Sequence, residues 1–142
     1  MNLYYISVLL VIASNVFYHI FQKSVPEAAN PLISLIATYG IALILTLISF
    51  CIYPSDVGFI QSFKRLNWAS YALGITIVGL ELGFLLAYRA GWNISLVALF
   101  TNICVTVLLI PIGLLLYKEH ISLINFVGIL LSIAGVICIY QK

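Results

Sequence analysis

Few residues of the chain could carry chemistry, and most of those few interrupt long apolar runs. Glu81 lies in the middle of VGLELGFLLAYRAG, residues 78–91. A carboxylate in such surroundings has two interpretations. It binds a proton or a cation as part of a function, or it stays protonated and hydrogen-bonded as a structural group. The sequence leaves both interpretations open.

Two polar stripes accompany this carboxylate. On a helix of 100° per residue, Ser7, Ser14 and Tyr18 share one face, with Asn15, His19 and Gln22 alongside. A second stripe recurs at intervals of seven, four and seven residues: Ser95, Asn102, Thr106 and Gly113. Such groups either line a solute cavity or hydrogen-bond between helices. The candidate substrate- or proton-binding residues are therefore Glu81, Asn15, Tyr18, Ser14, Asn102, Thr106 and Tyr88.

The composition shows what must position these residues. The chain has 142 residues, of which 64% are hydrophobic and 7% are charged. Soluble domains carry about 25% charged residues. Apolar runs of the roughly 17–25 residues that cross a bilayer recur along the whole chain. These features predict an all-α integral membrane protein.

Five apolar segments predict five transmembrane helices in a single membrane domain, 1–142. We place them at residues 3–22, 32–53, 68–89, 94–117 and 123–140. The stretch VGFIQSFKRLN before the third segment is moderately amphipathic and predicts a short interfacial helix. Pro111 is expected to kink the fourth helix.

The third helix is expected to present two different faces. Gly79 and Gly83 form a G-x-x-x-G face suited to close contact with another helix, while Glu81 projects from nearly the opposite side. Arg89 lies two turns beyond Glu81, too far to pair with it, and is expected to anchor the helix end. The fifth helix has its own small-residue seam of Gly128, Ser132 and Gly135.

The sequence shows no pattern typical of other kinds of chemistry. Cys51, Cys104 and Cys138 each lie inside an apolar run without C-x-x-C spacing, and are expected to be buried small hydrophobes. We expect no enzyme, no metal site and no cofactor, because no nucleophile–histidine–acid set or phosphate-cradling glycine loop is present. The net charge of +2 is spread thinly and predicts no nucleic-acid surface.

The distribution of positive charge predicts how the chain inserts. Lys64, Arg65 and Lys118 would lie on the N-terminal side of the membrane, and Lys23, Arg89 and Lys142 on the other. Loop Lys and Arg set orientation, and here they balance. The balance favours dual topology, in which copies insert in both directions. The alternatives are a single orientation set by a few residues near the ends, or a partner chain of different sequence.

The C-terminal half resembles a known superfamily. YKEHISLINFVGILLSIAGVICIYQK, residues 117–142, is similar to the closing signature of drug/metabolite transporters, and LGFLLAYRAGWNISLVALFTNICVTVLLIPIGLLL to their adjoining helix pair. Two departures are present. Asn15 stands near the place where the four-helix multidrug exporters have a glutamate, and Pro111 comes later than the proline of EamA-type halves. The chain looks like an EamA-like half-size transporter, one half of a ten-helix inverted-repeat fold.

The resemblance implies a function and an assembly. Inverted-repeat transporters bind substrate where the repeats meet, so a single five-helix chain would complete its site as an antiparallel homodimer. The expected function is secondary transport by alternating access, exporting small organic solutes such as amino acids, metabolites or lipophilic cations, with proton coupling as one mode. The alternatives are a non-transporting accessory subunit and a lipid-linked carrier flippase. The expected location is the plasma (inner) membrane of a prokaryote, as a multi-pass protein among its lipids.

Overall fold

A computed structural model describes residues 2–53, 57–118, 120 and 122–140, and the regular elements in these ranges are helices. Five of them occupy the five predicted segments, and one short helix precedes the third segment. The helices are α1 Asn2–Ser24, α2 Pro31–Ile52, α3 Phe59–Lys64, α4 Trp68–Arg89, α5 Ile94–Leu116 and α6 Leu123–Tyr140. The predicted helices at 68–89 and 123–140 have the bounds of α4 and α6, and the other three differ from prediction by at most two residues at either end. The predicted short helix is α3.

Local chemistry explains where two of the helices begin. The Asn30 side chain accepts hydrogen bonds from the backbone N–H groups of Leu32 at 2.9 Å and Ile33 at 3.4 Å, and Pro31 occupies the first turn of α2. Asn67 caps α4 in the same way, accepting from the Ala69 N–H at 3.1 Å. A capping side chain satisfies N–H groups that the helix itself leaves unpaired.

Four helices, α1, α2, α4 and α5, are long and apolar enough to cross a membrane. The chain is therefore a multi-pass membrane protein. The apolar stretch of α6, Leu123–Cys138, is shorter, and a fifth span stays a prediction. Most large apolar side chains point away from the described protein, as a bilayer solvent allows. Outward hydroxyls, such as those of Thr46 and Thr76, donate to carbonyls of their own helix at 2.7 and 2.8 Å, which satisfies them without water.

The chain divides into two compact units, residues 1–91 and 92–142. In the first unit α4 contacts both α1 and α2, and α3 is tied to the end of α2 by the rings of Phe50 and Phe59, 5.5 Å apart. In the second unit α5 contacts α6. Polar chemistry converges in the first unit.

The small-residue surfaces of α4 and α6 have no helix closely packed on them in the described chain, and their contact with a second copy stays a prediction. A methyl group built at Gly79 or Gly83 would meet nothing described within 4 Å, and the same holds at Gly128 and Gly135. Neither predicted seam therefore makes a close helix contact within the described chain. The three cysteines are free and exposed, not buried against other helices. α5 remains an α-helix through Pro111.

Candidate functional site

The inward face of α4 carries Glu81. The buried residues of this helix are Glu81, Leu85 and Tyr88, at the spacing of four and three residues that places side chains on one helix face. Their exposed fractions are 9%, 1% and 4%. Because α4 contacts α1 and α2, the carboxylate lies among three helices. Glu81 is thus held on the contact side of α4, with Gly79 and Gly83 exposed.

Two tyrosine hydroxyls accompany the carboxylate, one from α1 and one from α2. Tyr18 and Tyr39 are half-buried, and both side chains lie close enough to Glu81 for their charged forms to interact with its carboxylate. Neither hydroxyl has a hydrogen-bond partner among the described residues, although both oxygens are buried. We call Tyr18, Tyr39 and Glu81 the oxygen cluster.

Helix register explains why these three residues meet. Tyr18 precedes the end of α1 at Ser24 by six residues, and Glu81 precedes the end of α4 at Arg89 by eight. Tyr39 follows the start of α2 at Pro31 by eight. At 1.5 Å per residue, all three lie about 9–12 Å from the connected ends of α1 and α2 and the C-terminal end of α4. This places the oxygen cluster well inside an apolar core of about 30 Å.

A second polar layer lies next to the oxygen cluster. The Tyr88 hydroxyl and His19 Nδ1 are hydrogen-bonded at 2.7 Å, and both residues are buried. The Phe84 ring contacts both layers, with its centroid 4.9 Å from that of His19 and 5.8 Å from that of Tyr18. The hydrogen bond of His19 joins α1 to α4.

The C-terminal ends of α1 and α4 are cross-linked by further hydrogen bonds. Gln22 Nε2 donates to the backbone carbonyl of Glu81 at 2.8 Å, a buried bond. Lys23 Nζ donates to the carbonyl of Tyr88 at 3.3 Å. Arg89 Nη2 donates to the carbonyls of Pro26 at 3.2 Å and Ala29 at 2.7 Å. The expectation that Arg89 anchors the helix end is thereby met: it holds the α1–α2 connection against the end of α4.

The remaining candidates lie elsewhere. Ser14 and Asn15 are exposed on α1 and do not join the oxygen cluster. Asn102 and Thr106 are exposed on α5 in the second unit, where the Thr106 hydroxyl donates to the Asn102 carbonyl at 2.8 Å. That bond stays within one helix, so this hydroxyl does not join two helices. A shared solute cavity for the two stripes stays a prediction.

Three residues contribute to the site although they are not among the predicted candidates: Tyr39, Gln22 and His19. The Tyr39 hydroxyl belongs to neither of the predicted polar stripes. Gln22 and His19 were placed beside the first stripe without a partner. The signal was available for Tyr39, because an α-helical hairpin with a short connection brings residues equally far from the turn to the same depth. The partners of Gln22 and His19 lie on α4, and no local pattern identifies them.

Among the described residues, no group of three or more His, Cys, Asp or Glu side chains is arranged to hold a metal ion. The polar groups near one another are one carboxylate and two phenol hydroxyls, whose oxygens suit a proton or a small hydrogen-bonding cation.

Comparison with protein-family models, with curated proteins and with solved structures found no match to this chain.

Proposed function

We propose that the protein is a secondary transporter of small organic solutes, and that Glu81 is its solute- or proton-binding carboxylate. One observation carries the proposal. Glu81 is 9% exposed on a membrane-spanning helix, and its carboxylate makes no hydrogen bond to any described residue. Placing a charged carboxylate near the centre of a bilayer costs on the order of 3 kcal/mol. A purely structural carboxylate would be expected to recover that cost through a partner in the protein.

The arrangement around Glu81 supports binding more than scaffolding. The bonds that hold α1, α2 and α4 together come from other groups: His19, Tyr88, Gln22 and Arg89. Glu81 contributes to these bonds with its backbone carbonyl alone. Its side chain is therefore left available for a proton or a solute.

We further propose that two copies assemble in opposite orientations, as half-size members of the drug/metabolite transporter superfamily. The balanced loop charges favour insertion in both directions. The exposed glycines of α4 and α6 leave small-residue surfaces on which a second copy can approach closely. The substrates we expect are amino acids, other metabolites or lipophilic cations, exported in exchange for protons across a prokaryotic plasma membrane.

Transport by the purified protein tests the proposal. Proteoliposomes are screened for uptake of amino acids, other metabolites and lipophilic cations under an imposed pH gradient. For the solute that moves, Glu81→Gln should abolish gradient-driven uptake and remove its pH dependence, because an amide cannot change charge. Histidine is another side chain that can change charge in the physiological pH range, so His19→Gln is tested in parallel and should keep a pH-dependent rate.

The matched control is Glu27→Gln, the same substitution at an exposed carboxylate in the α1–α2 connection. It should transport as the unaltered protein does. If no solute of the three classes moves, the transporter proposal is wrong. If the Glu81→Gln protein keeps its pH-dependent uptake, the role given to Glu81 is wrong.

A further inference from the structure

The oxygen cluster has the chemistry of an incomplete coordination shell. The buried hydroxyl oxygens of Tyr18 and Tyr39 have no hydrogen-bond partner among the described residues. The Glu81 side chain, nine-tenths or more buried, is likewise without a hydrogen bond to the described chain. Buried polar groups in folded proteins are nearly always paired. Two unpaired hydroxyls and an unpaired carboxylate at one depth therefore indicate a ligand that pairs them.

The positions of these three groups restrict what that ligand is. They come from three different helices at a common depth, and no hydrogen bond joins them to one another. A ligand between them must offer hydrogen bonds in several directions. When Glu81 is ionised, the ligand must also carry positive charge, because a neutral water would leave the carboxylate uncompensated inside the membrane.

A primary ammonium group meets both requirements. It has one positive charge and three N–H donors, one for the carboxylate and one for each hydroxyl. A divalent metal ion would need about six oxygen ligands, more than the four that one carboxylate and two hydroxyls supply. A quaternary ammonium group has the charge but no N–H donor, and it would leave both hydroxyls unpaired.

We propose that Glu81, Tyr18 and Tyr39 bind the primary ammonium group of the transported solute, and that the two hydroxyls select it over a quaternary ammonium group. This inference rests on the proposed transport function and names the substrate class of the same site. The Phe84 ring, beside Tyr18 and stacked with Tyr88 at 6.2 Å, forms an aromatic wall for the body of the solute. Glu81 supplies attraction to any cation, and the hydroxyls supply the choice between cations.

The test compares two cations that differ in their N–H groups. Phenethylammonium and N,N,N-trimethylphenethylammonium share a ring, a chain and a charge. Their binding to the detergent-purified full-length protein is measured by titration calorimetry, without a membrane gradient. We expect phenethylammonium to bind at least tenfold more tightly, since a hydrogen bond to a charged donor is commonly worth about that factor.

Variants separate the two parts of the site. Tyr18→Phe and Tyr39→Phe should each weaken phenethylammonium binding about tenfold and change binding of the trimethyl compound less than about twofold. Tyr71→Phe, at an exposed tyrosine of α4, is the matched control and should change neither. Glu81→Gln should weaken binding of both cations. Circular dichroism confirms that each variant is folded.

Three results would overturn the inference. Equal or tighter binding of the trimethyl compound shows that N–H donors are not what the site recognises. Equal loss of both cations in the tyrosine variants shows that the hydroxyls do not select. If folded protein shows no saturable binding of phenethylammonium, a primary ammonium site is excluded. Transport would still be upheld if the unaltered protein took up another solute class and Glu81→Gln abolished that uptake.

Discussion

The hydrogen bond between His19 and Tyr88 gives a prediction whose size follows from the structure. The two atoms are 2.7 Å apart, and the residues are only 7% and 4% exposed. Hydrogen bonds between membrane helices average about 0.6 kcal/mol and reach about 1.7 kcal/mol. A short bond between two buried groups belongs in the upper part of that range. We expect a coupling free energy of about 1–1.5 kcal/mol.

A double-mutant cycle measures this coupling. The variants are Tyr88→Phe, which removes only the hydroxyl, His19→Phe, and the two together. The free energy of unfolding is measured from the loss of helicity as SDS is added to mixed micelles. A cycle pairing Tyr88→Phe with Ser7→Ala is the control, because the Ser7 hydroxyl is exposed and bonds to its own helix at the Tyr4 carbonyl. The control should be additive within about 0.5 kcal/mol. A His19–Tyr88 coupling below about 0.3 kcal/mol would refute the view that this pair fastens α1 to α4.

Three further predictions concern the connections between helices. Arg89→Met removes two hydrogen bonds to the carbonyls of Pro26 and Ala29 and should lower the free energy of unfolding by about 1–2 kcal/mol. Arg65→Met, at an exposed arginine, is the control and should change the free energy of unfolding little. Equal effects of the two substitutions would show that Arg89 does not anchor the helix end. Gly91→Ala should lower the free energy of unfolding by about 1 kcal/mol, because Gly91 has a φ of 92°, which residues with a side chain rarely adopt. Gly58→Ala, at a φ of −53°, should not lower it. A Gly91→Ala protein as stable as the unaltered protein would contradict this prediction. The double variant Lys64→Gln with Arg65→Gln leaves fewer positive loop charges on the N-terminal side than on the other side. Because the more positive side faces the cytoplasm, a C-terminal tag should become cytoplasmic in nearly all copies. An unchanged tag distribution would argue against charge control of topology.

The helices could be predicted from the sequence because their cause is local. Runs of apolar residues have no partner but lipid, and backbone groups in lipid must bond within the helix. Asn30 and Asn67 mark two helix starts for an equally local reason, since their side chains cap the first N–H groups. For these reasons the predicted and observed bounds agree within two residues.

The contact face of α4 could not be predicted in the same way. Small residues allow a close approach but do not require one. Here the polar side chains of Gln22 and His19 bond to α4 on the side of Glu81 and Tyr88, so Gly79 and Gly83 are left outside. The partner of a buried polar group decides which face is used, and that partner lies some 60 residues away in the chain.

The burial of Glu81 follows from a large free-energy cost. A charge in the acyl region is costly wherever it occurs in the sequence, and the structure places Glu81 at 9% exposure among α1, α2 and α4. The partners beside it depended on register between helices. Tyr18 belongs to a polar stripe that can be recognised in the sequence of its own helix. Tyr39 could be placed near Tyr18 only by comparing how far each residue lies from the connection between α1 and α2.

The central claim is that Glu81 is the carboxylate on which transport depends, and chemical modification tests it most directly. Dicyclohexylcarbodiimide reacts with protonated carboxyl groups in apolar surroundings, and mass spectrometry identifies the modified residue. We expect modification at Glu81, with solute counterflow in proteoliposomes lost in proportion to the modified fraction. Complete modification of Glu81 with counterflow intact would contradict the claim.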